Sequence, residues 1–321
     1  MNARIPDETT VRAALERAGR APSLHNSQPW RWRWHGTTVA LHVDTTRVLP
    51  ATDAFARQGV LACGVVLHHA TAAFAALGLQ VRIDRFPEPT DRRHVASLEF
   101  RDRREPTEGE LDLAAAIDRR YTDRAPFAAL DRWPYLFPVL ESACRAFWTT
   151  PTPIGDDLRE ELDRLSWISA ATRQRDPAYQ IEAREWLGGS APGSGIPAAA
   201  LPSAQDAGRV PINRRFPAGT ADAGCEEQDR AQLLLLSTPD DTPESLLSCG
   251  EALSTVLLEC TRHGASTCVL THLTELPGTR SQVRLLTRTR SPQVFVRVGV
   301  ATAPPPPRTP RRPVEDVLEV G

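Results

Sequence analysis

The stretch Leu61-Ala62-Cys63-Gly64-Val65-Val66-Leu67 has a counterpart at Leu247-Ser248-Cys249-Gly250-Glu251-Ala252-Leu253. The offset is 186 residues at every matched position. A second glycine lies 14 residues past each Cys-Gly pair, at Gly78 and Gly264. Each block belongs to a long run of helical pattern with few charges, and an apolar strand-like run follows it. Self-similarity of this kind points to two related halves packed on each other. Chance likeness between two Leu/Ala-rich helices is the competing explanation.

The pattern extends outward from these helices. The first spans Gln58–Leu77 and ends at Gly78, where a left-handed C-terminal glycine belongs. The second spans Leu246–Arg262. Thr9–Arg20 reads as a short amphipathic helix with Asp7 as its N-cap and Val11, Ala14, Leu15 and Ala18 on its apolar face. Trp30, Trp32 and Trp34 alternate with Arg31 and Arg33. After His35-Gly36, Val39, Leu41 and Val43 alternate again, which predicts a hairpin. Leu79–Ile83, His94–Phe100, Gln232–Ser237 and Val294–Val300 read as strands. Leu111–Ile117, Ser166–Gln174 and Ile181–Trp186 read as helices. Charged residues around Glu105-Pro106 divide the chain into halves at 1–108 and 109–321. From Gly188 to Gly219 glycine, proline, alanine and serine dominate, and the expectation is a lid or a poorly ordered loop.

The chain has 321 residues, 38 arginines with no lysine, 40 acidic residues and a net charge of −2. That balance is wrong for a general polyanion binder, so the Trp/Arg alternation reads as a half-buried strand rather than a base-stacking surface. Without lysine, Schiff-base chemistry is excluded. No Cys-x-x-Cys pair, metal-binding histidine spacing or glycine-rich phosphate loop appears. The polar N-terminus and the lack of an obvious spanning run predict a cytoplasmic protein with no membrane partner and no disulfide framework.

Three motifs remain. Ala21-Pro22-Ser23-Leu24-His25-Asn26-Ser27-Gln28-Pro29-Trp30 resembles the P-S-x-x-N-x-Q-P-W segment of the FMN-dependent nitroreductase superfamily. Arg120-Tyr121-Thr122-Asp123-Arg124 resembles its R-x-[ST]-x-[RK] motif, and Pro310-Arg311-Arg312-Pro313 its basic C-terminal segment. The order of the three is similar to that of the tandem, Acg-type members found in actinobacteria.

The resemblance implies an α+β, nitroreductase-like fold in which two tandem halves form an intramolecular pseudo-dimer with a lid insertion. Ordinary members are homodimers that bind FMN between subunits. Here each half retains one complementary set of motifs, which implies one FMN per chain and a monomer that mimics a dimer, with further self-association open. Arg120 and one or both of Arg311 and Arg312 would hold the phosphate, as guanidinium forks do. Thr122 would bind the phosphate or the ribityl chain. Arg124 would stand near one edge of the ring, where a positive charge raises the flavin potential. Pro22, Ser23, Leu24, Asn26 and Gln28 would meet the flavin from the other half. Val269-Leu270-Thr271-His272 falls where the family has a P-x-E-G loop whose glycine N–H meets flavin N5. This chain has neither the glutamate nor the glycine, so a backbone donor at Thr271 or His272 is expected in their place. His272 could instead face substrate or be a satisfied loop histidine.

No side chain need act as a nucleophile or general base, and no metal is expected. The function implied is hydride transfer through FMN between NADH or NADPH and a nitro, quinone or other small organic substrate, or dehydrogenation of a substrate. The alternative is a protein that binds and sequesters FMN under a closed lid without turnover.

Overall fold

A computed structural model describes residues 5–189, 193–224 and 227–321. Part of the expected lid and Cys225 lie outside these residues. The described chain is mixed helix and sheet. Helix α1 (Glu8–Ala18) begins at Asp7, whose carboxylate accepts from Thr10 N at 2.8 Å. The hairpin follows as β1 (Trp30–Trp34) and β2 (Thr38–Val43), then α2 (Arg57–Ala76), β3 (Leu79–Arg85) and β4 (His94–Arg103).

Helix α3 (Glu108–Arg119) is started by a capping box between Thr107 and Glu110. Next come β5 (Phe127–Ala128), α4 (Trp133–Arg145), β6 (Thr150–Ile154), α5 (Arg159–Gln174) and α6 (Pro177–Trp186). The segment expected as a lid carries β7 (Leu187–Gly188), β8 (Ile196–Pro197) and α7 (Ala204–Gly208). The chain finishes with β9 (Gln232–Thr238), α8 (Pro243–Arg262), β10 (Ser266–Leu270), α9 (His272–Glu275), α10 (Pro277–Thr287), β11 (Ser291–Ala301) and β12 (Leu318–Val320).

One sheet has the order β12-β1-β2-β4-β3 and the other β10-β11-β9-β6. Neighbours pair antiparallel within both, except that β12 joins β1 in parallel and so carries the C-terminus back to the first sheet. The three tryptophans of β1 are buried. Arg31 and Arg33 lie on the opposite face, and each donates to Glu319 of β12 at 2.8 Å. The alternation therefore builds a sheet whose cations are matched by a carboxylate.

Helices α2 and α8 pack on each other at the repeated Cys-Gly positions. A Cβ on Gly64 would lie 2.0 Å from the Leu247 carbonyl oxygen, and one on Gly250 would lie 2.0 Å from that of Leu61. Both glycines are in ordinary helical backbone, so what they supply is the absence of a side chain. Cys63, Leu67, Cys249, Leu253 and Val256 continue the contact into the main core. Among the described residues α2 is long and apolar enough to cross a bilayer, which corrects the reading that no run qualifies. Its residues are mostly buried within the fold.

The same interface holds a polar patch. His68 Nδ1 meets Ser254 Oγ at 2.7 Å and its Nε2 meets Thr255 Oγ1 at 3.2 Å. Burial pushes the His68 imidazole down to about 4. In the unfolded chain this histidine takes up its proton near pH 6.5; in the fold it does so only near pH 4. Its stabilising share is thus complete above pH 6.5 and is lost as pH falls below that value. By pH 5 the loss is about 2 kcal/mol. Asp53, pushed up to about 6 by burial, opposes part of this because it protonates more readily in the fold. Denaturant titrations at pH 7 and pH 5 should give a stability difference that is smaller for His68→Asn by about 2 kcal/mol. Equal differences for the two proteins would show that the imidazole is not held neutral.

Candidate functional site

Helix α3 stops at Arg120, where the backbone turns extended. The next residues run beside the start of β10, with a parallel bridge between Thr122 and Thr267 and a 3.0 Å bond from Asp123 N to Thr267 O. In extended chain, alternate side chains share a face. The spacing Arg120, Thr122, Arg124 therefore lays two guanidiniums and a hydroxyl along one wall.

The facing wall is the loop after α1. His25, Asn26 and Gln28 all have positive φ, at 49°, 57° and 50°. Three such residues in four positions make a tightly folded turn that few side chains tolerate. Ser23 Oγ accepts from Gln28 N at 2.8 Å and ties the ends of this turn together. Asn26 Nδ2 donates to Gly195 O at 3.0 Å and to Pro310 O at 2.9 Å. One amide thus fastens the loop to both the lid and the C-terminal segment.

Two adjoining cavities open between these walls. Pro22, Ser23, Thr122, Arg124 and Ile196 line both. The first is floored by Gln58, Leu61, Ala62 and Val65 of α2 with Leu253 of α8, and Leu270 and Thr271 close one side. It is largely apolar, suited to an aromatic ring. The second is polar, lined by Asn26, Arg120, Arg308, Thr309 and Arg311.

The charge in the second cavity is unbalanced. Arg120 Nη2 and Arg311 Nη2 both donate to the carbonyl oxygen of Arg20, at 3.1 and 3.2 Å. Arg120 Nε and Nη1 and Arg311 Nε are buried and have no hydrogen-bond partner among the described residues. Burial pushes the Arg120 guanidinium down to about 10. Burial, followed by repulsion from Arg120, pushes Arg311 down to about 9. Among the described residues no carboxylate lines this cavity. Two cations held together without a counter-ion are costly unless an anion joins them.

Arg124 sits where the cavities meet. Its Nη1 donates to Ala200 O at 3.1 Å, and its guanidinium lies 5.5 Å from the centre of the Phe216 ring. Burial also lowers its pKa.

Three expected residues lie away from the cavity walls. Gln28 Nε2 donates to Gly193 O at 2.6 Å, and its Oε1 accepts from Arg312 N at 2.9 Å. Its side chain is a tether for lid and tail. Arg312 turns to Asp44 at 3.6 Å and donates to Asp316 O at 2.6 Å, so its charge is already partnered. His272 Nε2 pairs with Ser166 Oγ at 2.8 Å behind the cavity, while Thr271 before it stays on the wall. The satisfied-histidine reading thus holds for Nε2; its Nδ1 has no partner.

The segment expected as a lid is folded where described. Leu187, Ile196, Ala200 and Leu201 form their own small core, with Ala183 and Phe216 against it. Arg214 anchors it to the body. This arginine donates to Tyr179 Oη and Thr271 Oγ1 at 3.1 Å each and forms a buried ion pair with Glu275. Ile196, Arg214 and Phe216 reach the first cavity. Gln58 and Cys268 also line it and were not singled out from sequence, because nothing distinguishes them there from core positions. Among the described residues no cluster suited to a metal ion occurs.

No family model matches the chain. A protein of Mycobacterium tuberculosis provisionally named NAD(P)H nitroreductase acg is 43% identical over 97% of this chain and 95% of its own length. Two further proteins of that organism cover similar spans: an uncharacterised one at 41% identity over 97% of this chain and 93% of its own length, and another provisionally named NAD(P)H nitroreductase at 36% over 99% and 94%. An FMN-bound nitroreductase from Desulfitobacterium hafniense aligns in structure over 62% of this chain and 94% of its own, with 12% identity and a TM-score of 0.40. Identity above two fifths across nearly the whole length places the chain: it belongs to the Acg-type family of the nitroreductases.

Proposed function

We propose that the protein is an FMN-dependent oxidoreductase that uses one flavin per chain to pass hydride from NADH or NADPH to a nitro, quinone or other small organic acceptor. The observation that carries this reading is the pair of unbalanced guanidiniums of Arg120 and Arg311, each with buried nitrogens that have no partner among the described residues, beside a largely apolar cavity. That pairing matches a ligand with a phosphate at one end and a flat aromatic system at the other. The donor set fits FMN. Arg120 and Arg311 would take the phosphate, with Arg308 and Thr309 beside it. Thr122 would meet the ribityl hydroxyls. Arg124 would lie near the ring, where its charge favours the reduced form. Bound there, FMN would supply the hydride carrier that no side chain of this protein can be. The chain's own residues bind the cofactor, exclude water beneath the lid and hold a fixed cation at the ring.

The single-site stoichiometry rests on the repeat. We read the halves 1–108 and 109–321 as an intramolecular pseudo-dimer with one surviving site. Val65 lines the first cavity, and its repeat partner is Glu251. Glu251 is buried in a two-pronged ion pair with Arg85, at 2.8 Å from both Nε and Nη2. A buried carboxylate, paired with an arginine at the surface, would occupy the ground that a second ring needs.

Mixing the FMN-loaded protein with NADH or NADPH in the absence of oxygen should bleach the flavin's long-wavelength absorbance. An organic acceptor should then restore it. A loaded protein that neither donor bleaches would contradict turnover and favour sequestration beneath the lid.

A further inference from the structure

His25 stands apart from the other buried histidines. His68 has partners for both ring nitrogens, His69 pairs through Nδ1 with Val65 O and Ser254 Oγ, and His272 pairs through Nε2. His25 is 3% exposed, yet neither of its ring nitrogens has a partner among the described residues. Its side chain lines the first cavity, where it meets the lid residue Phe216 edge-on at 6.3 Å between ring centres. Two unpartnered polar atoms buried at a cavity wall carry a free-energy cost that a bound ligand would relieve.

The surroundings narrow the ligand. Among the described residues no aspartate or glutamate lines this cavity. The charged groups that act on His25 are Arg124, Arg173 and Arg214, and together with burial they hold its imidazole neutral. A neutral imidazole offers one N–H donor and one acceptor nitrogen. Arg214 already serves Glu275, Tyr179 and Thr271, so both of its terminal nitrogens are engaged. Beside His25 the cavity is lined by Leu24 and, from the lid, Ile196 and Phe216, an apolar wall that would cover an acceptor lying on the flavin ring. Such a space favours a flat apolar body bearing an electron-rich oxygen.

We propose that His25 contacts the substrate, donating a hydrogen bond from its ring N–H to an exocyclic oxygen of an aromatic acceptor of the nitro, quinone or aryl carbonyl class. The inference rests on the flavin reading above and adds to it a residue that meets the acceptor. No proton leaves His25. Its N–H is a fixed dipole aimed where negative charge builds on the oxygen during reduction, as preorganised donors in such sites are. The left-handed turn at His25 places this dipole at the cavity wall beneath the lid.

The test uses two probes of one shape, nitrobenzene and isopropylbenzene, of which only the first has an acceptor oxygen. FMN occupancy of the unsubstituted, His25→Asn and His25→Leu proteins is measured first. Asparagine accepts the left-handed backbone and draws the donor back from the cavity. Binding of each probe is then read from the change in the bound-flavin spectrum. The unsubstituted protein should prefer nitrobenzene, and either variant should lose about tenfold of that preference while keeping FMN. An unsubstituted protein that holds no FMN would sink the flavin reading. A loaded protein with no preference, or variants with an unchanged preference, would overturn only the role of His25. So would variants that lose FMN itself, since that result would make His25 a cofactor contact.

Discussion

Gly64→Ala should destabilise the protein by about 3 kcal/mol or more, although alanine is the better helix former. The added Cβ would fall 2.0 Å from the Leu247 carbonyl oxygen, 2.9 Å from Gly250 Cα and 3.0 Å from Glu251 N. All three are backbone atoms of α8, so no side chain can swing aside. Either the two helices move apart across the core or one of them bends. Gly250→Ala meets the same obstacle from the other side, with the Leu61 carbonyl oxygen at 2.0 Å. Because the two sites touch, the double variant should cost less than the sum of the singles, once the first has already forced the helices apart. Leu61, Ala62 and Val65 also floor the ring cavity, so FMN binding should weaken along with stability. Chemical denaturation of the three variants checks the expectation. A single change within about 0.5 kcal/mol of the parent would mean that the glycines are not the point of closest approach.

Arg120→Met should weaken FMN binding by about 1.5–3 kcal/mol, the worth of a charged hydrogen bond. It should also leave the FMN-free protein as stable as before, or more so. The second half of this expectation follows from the missing partners. Arg120 carries a buried charge with two idle nitrogens, and its one bond is to a backbone carbonyl that Arg311 also uses. Replacing such a group with an apolar side chain of similar length removes a desolvation cost. A structural arginine would behave in the opposite way. Arg297 shows the contrast: it is buried against Asp229 at 2.6 Å, and cutting it back should destabilise the second sheet, in which β11 is an inner strand, rather than change affinity. Arg311→Met should act like Arg120→Met, and the pair should be less than additive because both would hold one phosphate. Titration of FMN into each purified variant, with thermal unfolding of the FMN-free forms, separates the two roles.

Much of the framework was legible in the sequence because its determinants are local. The Cys-Gly repeat located the closest helix contact, the tryptophan alternation located β1, and Gly78 and Asp7 marked helix ends. Helix α4 was missed because Pro134 and Pro138 lie within it, and proline ordinarily argues against a helix interior. Strand β6 was missed for a related reason. Pro151 and Pro153 fit there only because β6 is at the sheet edge, which pairing far along the chain decides. The parallel pairing of β12 with β1 has no local signal at all.

In the candidate site, the period-two spacing of Arg120, Thr122 and Arg124 was enough to align them on one wall. Asn26 and Gln28 were harder. Their motif suggested direct flavin contact; Asn26 does line the second cavity and Gln28 does not, and the amides of both are fastened to Gly193, Gly195 and Pro310, carbonyls whose approach only the folded chain reveals. His25 carried no sequence signal, since a lone histidine in a turn looks the same whether or not its nitrogens are satisfied.

The lysine-free composition gains a physical meaning at the site. Arg120 and Arg311 remain charged even where burial has pushed them down to about 10 and 9, whereas lysine begins lower and would be nearer to neutrality.

The most direct test of the account is the number of flavins held by one chain. Protein saturated with FMN, freed of excess and then denatured should release one FMN per chain, whatever its oligomeric state. Release of two would contradict the single surviving site between the repeated halves, and a chain that cannot be loaded would contradict the flavin site itself.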